Sequence, residues 1–104
     1  MACGSIHQAQ AGQSFTVKVT AGPKTVKGLL TFAGPHTTPG TRQLTDAGLR
    51  QGHTEPVVAG LSYHLTLRRS PHAGATTVAF TAPSGKTKTC TSEGPIIGLW
   101  IVFA

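Results

Sequence analysis

Apolar and polar residues alternate with a period of two along almost the whole chain, and a chain patterned this way forms half-buried strands rather than helices. In residues 14–20, Phe15, Val17 and Val19 share one side while Thr16, Lys18 and Thr20 share the other. Residues 26–33 place Val26, Gly28, Leu30 and Phe32 on one face and Lys27, Leu29, Thr31 and Ala33 on the other. Both faces are partly apolar, which predicts a central strand. The longest alternation, 57–69, turns Leu61, Tyr63, Leu65 and Leu67 inward and Ser62, His64, Thr66 and Arg68 outward. Gly60 marks a bulge or the true start of that strand. Residues 75–82 point Val78 and Phe80 inward, and 86–91 alternate Lys86, Lys88 and Cys90 against Thr87, Thr89 and Thr91. The segment Ile96–Phe103 is apolar on both faces, as in a strand buried on two sides or one cut short.

Between these runs stand turn formers: Ala21-Gly22-Pro23-Lys24, Ser70-Pro71-His72-Ala73-Gly74, Pro83-Ser84-Gly85 and residues 92–95. Residues 34–40 read as a loop, 42–46 as a short edge strand broken by Ala47-Gly48, and 51–56 as a polar connection. With 13 Gly, 7 Pro and few helix formers, no helix is expected. About seven short strands spaced about 8–12 residues apart predict an all-β, Ig-like antiparallel sandwich, with a small barrel as the alternative. The 104 residues make one domain, 1–104, with no repeat or linker.

Only three carboxylates, Asp46, Glu55 and Glu93, stand against nine Lys and Arg, giving a formal charge of +6. Most acid–base, hydrolytic and metal-assisted chemistry draws on carboxylates, so the shortage argues against an enzyme. The three lie apart, in or beside turns, and none is expected to face a histidine. There is no Gly-x-Ser-x-Gly turn, no phosphate-cradling GxxxxGK[ST] and no HExxH. His7, His36, His53, His64 and His72 lack metal-ligand spacing, so solvated histidines and no metal or cofactor are expected.

Cys3 and Cys90 sit near opposite ends of the chain, without CxxC spacing. A disulfide between them is expected, the alternative being two buried thiols in a reducing compartment. Met1-Ala2 opens directly into Cys3-Gly4 with no charged or apolar leader, which is read as a mature secreted domain with an added start methionine, the alternative being a cytosolic protein. No run of about eighteen apolar residues is present, so no transmembrane segment is expected.

Two passages resemble reeler (reelin-amino-terminal) domains. Ala11-Gly12-Gln13-Ser14-Phe15-Thr16-Val17-Lys18-Val19-Thr20, followed by Val26-Lys27-Gly28-Leu29-Leu30-Thr31-Phe32-Ala33, is similar to the family's "PG-x-x-[YF]-x-V-x-[VL] … [FY]-KG-[FL]-L-[LI]-x-A" passage. Thr76-Thr77-Val78-Ala79-Phe80-Thr81-Ala82-Pro83 resembles its "s-V-x-F-x-W-x-A-P" strand, and Trp100-Ile101-Val102 its closing strand. The chain departs from the family in lacking the Trp before Ala82-Pro83 and in having fewer cysteines. The resemblance implies an Ig-like sandwich, a secreted location and a binding role in adhesion or defence, with no catalytic residue.

The positive balance predicts attraction to polyanions. Arg68, Arg69, Lys86, Lys88, Lys18 and Lys27 are the candidate basic face, while Lys24, Arg42 and Arg50 fall in or near loops with no evident partner. Expected partners are an anionic polysaccharide or cell-surface glycan. Sequence-specific nucleic acid is disfavoured, because all six aromatics fit core positions and no helix is available for a groove. The exposed Thr87, Thr89 and Thr91 row, and Thr16 with Thr20, fits β-propensity on a solvated face, with ice or glycan contact as the sharper alternative. Two rival functions are a small secreted effector docking on a host protein by a sheet edge or by the apolar C-terminal segment, and a structural module of a larger extracellular protein. Ile96–Phe103 at a sheet edge would also drive dimerisation.

Overall fold

The computed structural model describes residues 3–22, 25–70 and 74–104. Pro23, Lys24, Pro71, His72 and Ala73, and the opening Met1-Ala2, lie outside the described residues.

The alternation folds as expected into a two-sheet sandwich, with no closed barrel. The strands in chain order are β1 (Cys3–Gln8), β2 (Ser14–Ala21), β3 (Val26–Gly34), β4 (Thr37–Leu44), β5 (His53–Pro56), β6 (Ser62–Arg69), β7 (Thr76–Thr81), β8 (Thr87–Ser92) and β9 (Ile96–Phe103). One sheet runs β1-β9-β6-β3-β4 and the other β5-β2-β7-β8. The β1–β9 pair is parallel and the other pairs are antiparallel.

The inward sets are those the period of two predicts. Phe15, Val17, Val19, Val78 and Phe80 meet Val26, Leu30, Tyr63, Leu65, Leu67, Trp100 and Val102, all buried. At the centre Trp100 stacks on Phe80, with ring centroids 5.0 Å apart. Offset aromatic contacts of this kind add about 0.5–1.5 kcal/mol beyond area burial.

The structure corrects the sequence reading in five places. A helix α1 (Asp46–Gln51) follows β4. Thr45 caps it by accepting from the Gly48 amide at 3.1 Å, and Gly52 closes it at φ 101°. The expected loop 34–40 is a tight hairpin whose second strand already starts at Thr37, because edge strand β4 tolerates Pro39. Gly40 fits there because a Cβ would strike the Phe32 ring at 2.5 Å. The polar connection 51–56 contains β5, and residues 3–8 form β1. Finally, β9 is neither buried on both sides nor at an edge. It runs between β1 and β6, with Ile96 and Leu99 exposed on its outer side, so its backbone is not free to pair with a second chain.

Each long side of the sandwich is closed by a bond between sheets. On one side Cys3 of edge strand β1 is bridged to Cys90 of edge strand β8, with Cα atoms 6.1 Å apart. The other side is closed by charge, between edge strands β4 and β5. A disulfide of this kind belongs to an oxidising compartment, and no helix among the described residues is long and apolar enough to cross a membrane.

Candidate functional site

On the outer face of the five-stranded sheet, antiparallel pairing sets Lys27 of β3 directly opposite Arg68 of β6. Both are exposed. Neither forms an ion pair among the described residues. Like charges directly opposite one another destabilise a sheet, so this pair is not explained by strand pairing. The next row on the same face is Leu29, Thr66 and Leu99, then Thr31, His64, Ile101 and Ile6. Leu29, Leu99 and Ile6 are 45%, 44% and 69% exposed, so two cations border an apolar strip. A groove of about 620 Å³ lies here, lined by Lys27, Leu29, Gln43, Thr66, Arg68 and Asp46.

The Asp46 carboxylate is already committed. Its Oδ1 accepts from the Val26 amide at 2.9 Å and its Oδ2 from Arg50 Nε at 2.9 Å. The Val26 hydrogen bond, with further help from Arg50, holds its pKa below the ordinary 3.8 against the opposing effect of burial. Arg50 also donates to the Gly22 carbonyl at 2.9 Å, tying α1 to the end of β2.

The six predicted basic residues do not share one face. Lys18 projects from the outer side of the four-stranded sheet, opposite Ala79. Lys86 lies in the β7–β8 turn, its carbonyl accepting from the Ala82 amide, and Lys88 lies exposed on edge strand β8. Only Lys27 and Arg68 are neighbours. Arg69 is not on the surface at all: it is 5% exposed. The alternation that turns Leu65 and Leu67 inward turns Arg69 inward too, a consequence visible in the sequence. Its Nη1 donates to the Ser92 carbonyl at 2.7 Å, while Nε and Nη2 have no partner. Burying a guanidinium without a carboxylate costs several kcal/mol, so this residue stands out.

A second cluster escaped the sequence reading. Glu55 is 6% exposed, and its Oε1 accepts from His53 Nε2 at 2.9 Å and lies 3.3 Å from Arg42 Nε. This corrects two expectations: a carboxylate does face a histidine, and Arg42 does have a partner. Arg42 also lies over the Phe32 ring at 6.0 Å. The only signal was His53-Thr54-Glu55, where a spacing of two puts both side chains on one face if the segment is a strand. Glu55 then serves both donors as an acceptor, and the cluster acts as a charged clasp between β4 and β5.

The remaining polar rows are satisfied internally. The hydroxyls of Thr16 and Thr54, Thr77 and Thr91, and Thr81 and Thr87 pair at 2.9, 3.0 and 2.9 Å across the outer face of the four-stranded sheet. His7 Nε2 is hydrogen-bonded to Ser5 Oγ at 2.6 Å. Among the described residues no three His, Cys, Asp or Glu side chains converge as for a metal. His72 lies outside them.

Comparison with protein-family models, curated proteins and solved structures returned no match for this chain.

Proposed function

We propose that this protein is a secreted, non-catalytic binding module that recognises an anionic glycan through the outer face of its five-stranded sheet. The observation that carries the reading is the Lys27–Arg68 pair, two adjacent exposed cations that form no ion pair among the described residues, beside a groove lined in part by Leu29 and Leu44. Sulfate or carboxylate groups match the cations through charge-assisted hydrogen bonds. The C–H faces of a sugar ring match Leu29 and Leu99. The passages that resemble reeler domains fall on β2, β3, β7 and β9, and an adhesion or defence role follows from that resemblance. A non-catalytic role is supported by the carboxylates: Asp46 and Glu55 are both held in structural bonds.

Heparin affinity chromatography tests this. The wild-type protein is expected to elute above physiological salt, and Lys27→Glu/Arg68→Glu well below it, with Lys86→Glu/Lys88→Glu shifted less. Elution of the wild type below physiological salt ends the reading. The apolar rows favour a second reading, a protein partner. Retention by a candidate partner that survives the Lys27/Arg68 change but is lost in Ile6→Ser/Leu99→Ser would transfer the function to that surface.

A further inference from the structure

We propose that Arg69 anchors a buried oxyanion site, in which Nε and Nη2 chelate two oxygens of a sulfate group. The inference deepens the glycan reading and rests on it for the source of the sulfate. Nε and Nη2 are the two adjacent donors on one side of the guanidinium plane, the fork that matches an oxyanion bidentately. In this structure both are buried and without a partner, while Nη1 is fixed to the Ser92 carbonyl at 2.7 Å. The guanidinium is therefore held in place by its third nitrogen, with its chelating edge unused.

No carboxylate among the described residues supplies the missing charge. Asp46 is bound to Val26 and Arg50, Glu55 to His53 and Arg42, and exposed Glu93 forms no ion pair with Arg69. A chain with three carboxylates that buries an arginine without an ion pair to any of them draws its counter-charge from outside.

The surroundings agree. Arg69 borders a groove of about 430 Å³ with Thr25, Lys27, Arg68 and Ser70, its side chain leaving the sheet on the inner side while Lys27 and Arg68 project from the outer side. Thr76, paired across strands with Ser92, is fully buried, and its hydroxyl also lacks a partner at this end of the sandwich. The two unpartnered nitrogens are closed to solvent, so loading takes a local opening between the sheets at this end of the sandwich.

The test is a titration of the ¹⁵N-labelled full chain with sodium sulfate, at ionic strength held constant with sodium chloride, following the arginine Nε–H resonances. A saturable displacement of the Arg69 signal is expected, with Arg42 and Arg50 unmoved. In Arg69→Met the sulfate-dependent rise in Tm should fall below that of the wild type; should that variant not fold, the wild-type titration decides alone. A saturable shift at Arg68 with Arg69 silent overturns the buried site and leaves the exposed-face reading standing. No saturable shift at either residue overturns the site, and the heparin experiment judges the exposed face separately. Displacement of Arg69 by sulfate but not by a heparin-derived tetrasaccharide supports the site and removes the glycan as its source.

Discussion

Arg42 Nε and Glu55 Oε1 stand 3.3 Å apart across the gap between edge strands β4 and β5, on the side of the sandwich away from the Cys3–Cys90 bridge. The two partners are unequal: the Arg42 side chain is 51% exposed and that of Glu55 only 8%. Removing the exposed member loses a screened contact, worth about 0.2–1 kcal/mol. Removing the buried charge breaks the bonds to both His53 and Arg42, worth about 1.5–3 kcal/mol. Urea unfolding should therefore rank Glu55→Gln as clearly more destabilising than Arg42→Ala. Equal losses would mean that His53 contributes nothing to the clasp.

The opposite edge is closed covalently. The Cys3–Cys90 bridge spans 87 positions of sequence and joins edge strands of different sheets. In the chain-entropy account a loop of that length contributes about 4–5 kcal/mol, a large share of the stability of a domain this size. The Cys3→Ser/Cys90→Ser variant should lose roughly that amount in denaturant unfolding. A loss below about 1 kcal/mol would show that the packing of β1 on β9 holds the edge without it.

Acid should act on the tie between α1 and β3. The Asp46 pKa is lowered in the folded state, first by the Val26 amide and then by Arg50. A carboxylate with a depressed folded pKa contributes stability above its unfolded pKa of 3.8 and loses it as pH falls through the lower folded value. Stability should decline below about pH 4 with a component that Asp46→Asn abolishes, at a cost near neutral pH of about 1 kcal/mol. Parallel acid profiles for the two proteins would assign the decline elsewhere.

Periodicity made most of this fold legible, and it failed where burial did not follow hydrophobicity. In β1 the sole branched apolar residue, Ile6, points outward at 69% exposure, while Cys3, Ser5 and His7 face in. A reader matching apolar to buried finds no strand there. In β4, Pro39 and Gly40 spell a loop, and only the flat approach to Phe32 makes Gly40 a strand residue. The helix α1 buries a single residue, Leu49, too little for a helical period, and its cap Thr45 and first-turn Asp46 lie in a stretch whose Ala47-Gly48 reads as a break. For the candidate site, Lys27 and Arg68 were correctly placed outward by alternation. Their adjacency depends on the register of β3 against β6, and no local pattern encodes that pairing.

That single buried residue makes α1 vulnerable. Leu49 is fully buried, and the helix it anchors supplies Asp46 to Val26 and Arg50 to Gly22. Leu49→Ala should cost about 2–5 kcal/mol, and with the anchor gone the protection of the Val26 amide from hydrogen exchange should fall. A loss under about 1 kcal/mol with Val26 still protected would mean that the polar ties hold the helix alone.

Lys88 presents the reverse case, a charge at an inward register position. It stands opposite buried Phe80 but is itself exposed, because β8 is an edge strand. A lysine on the inner side of an edge blocks a further strand from adding, since pairing there would bury the ammonium. This gives Lys88 a role independent of any ligand. Lys88→Val should leave the unfolding free energy within about 0.5 kcal/mol of the wild type while raising concentration-dependent self-association in sedimentation velocity. A variant that stays monomeric at the highest concentrations, yet loses heparin retention as fully as Lys27→Glu/Arg68→Glu, would instead return Lys88 to the binding surface.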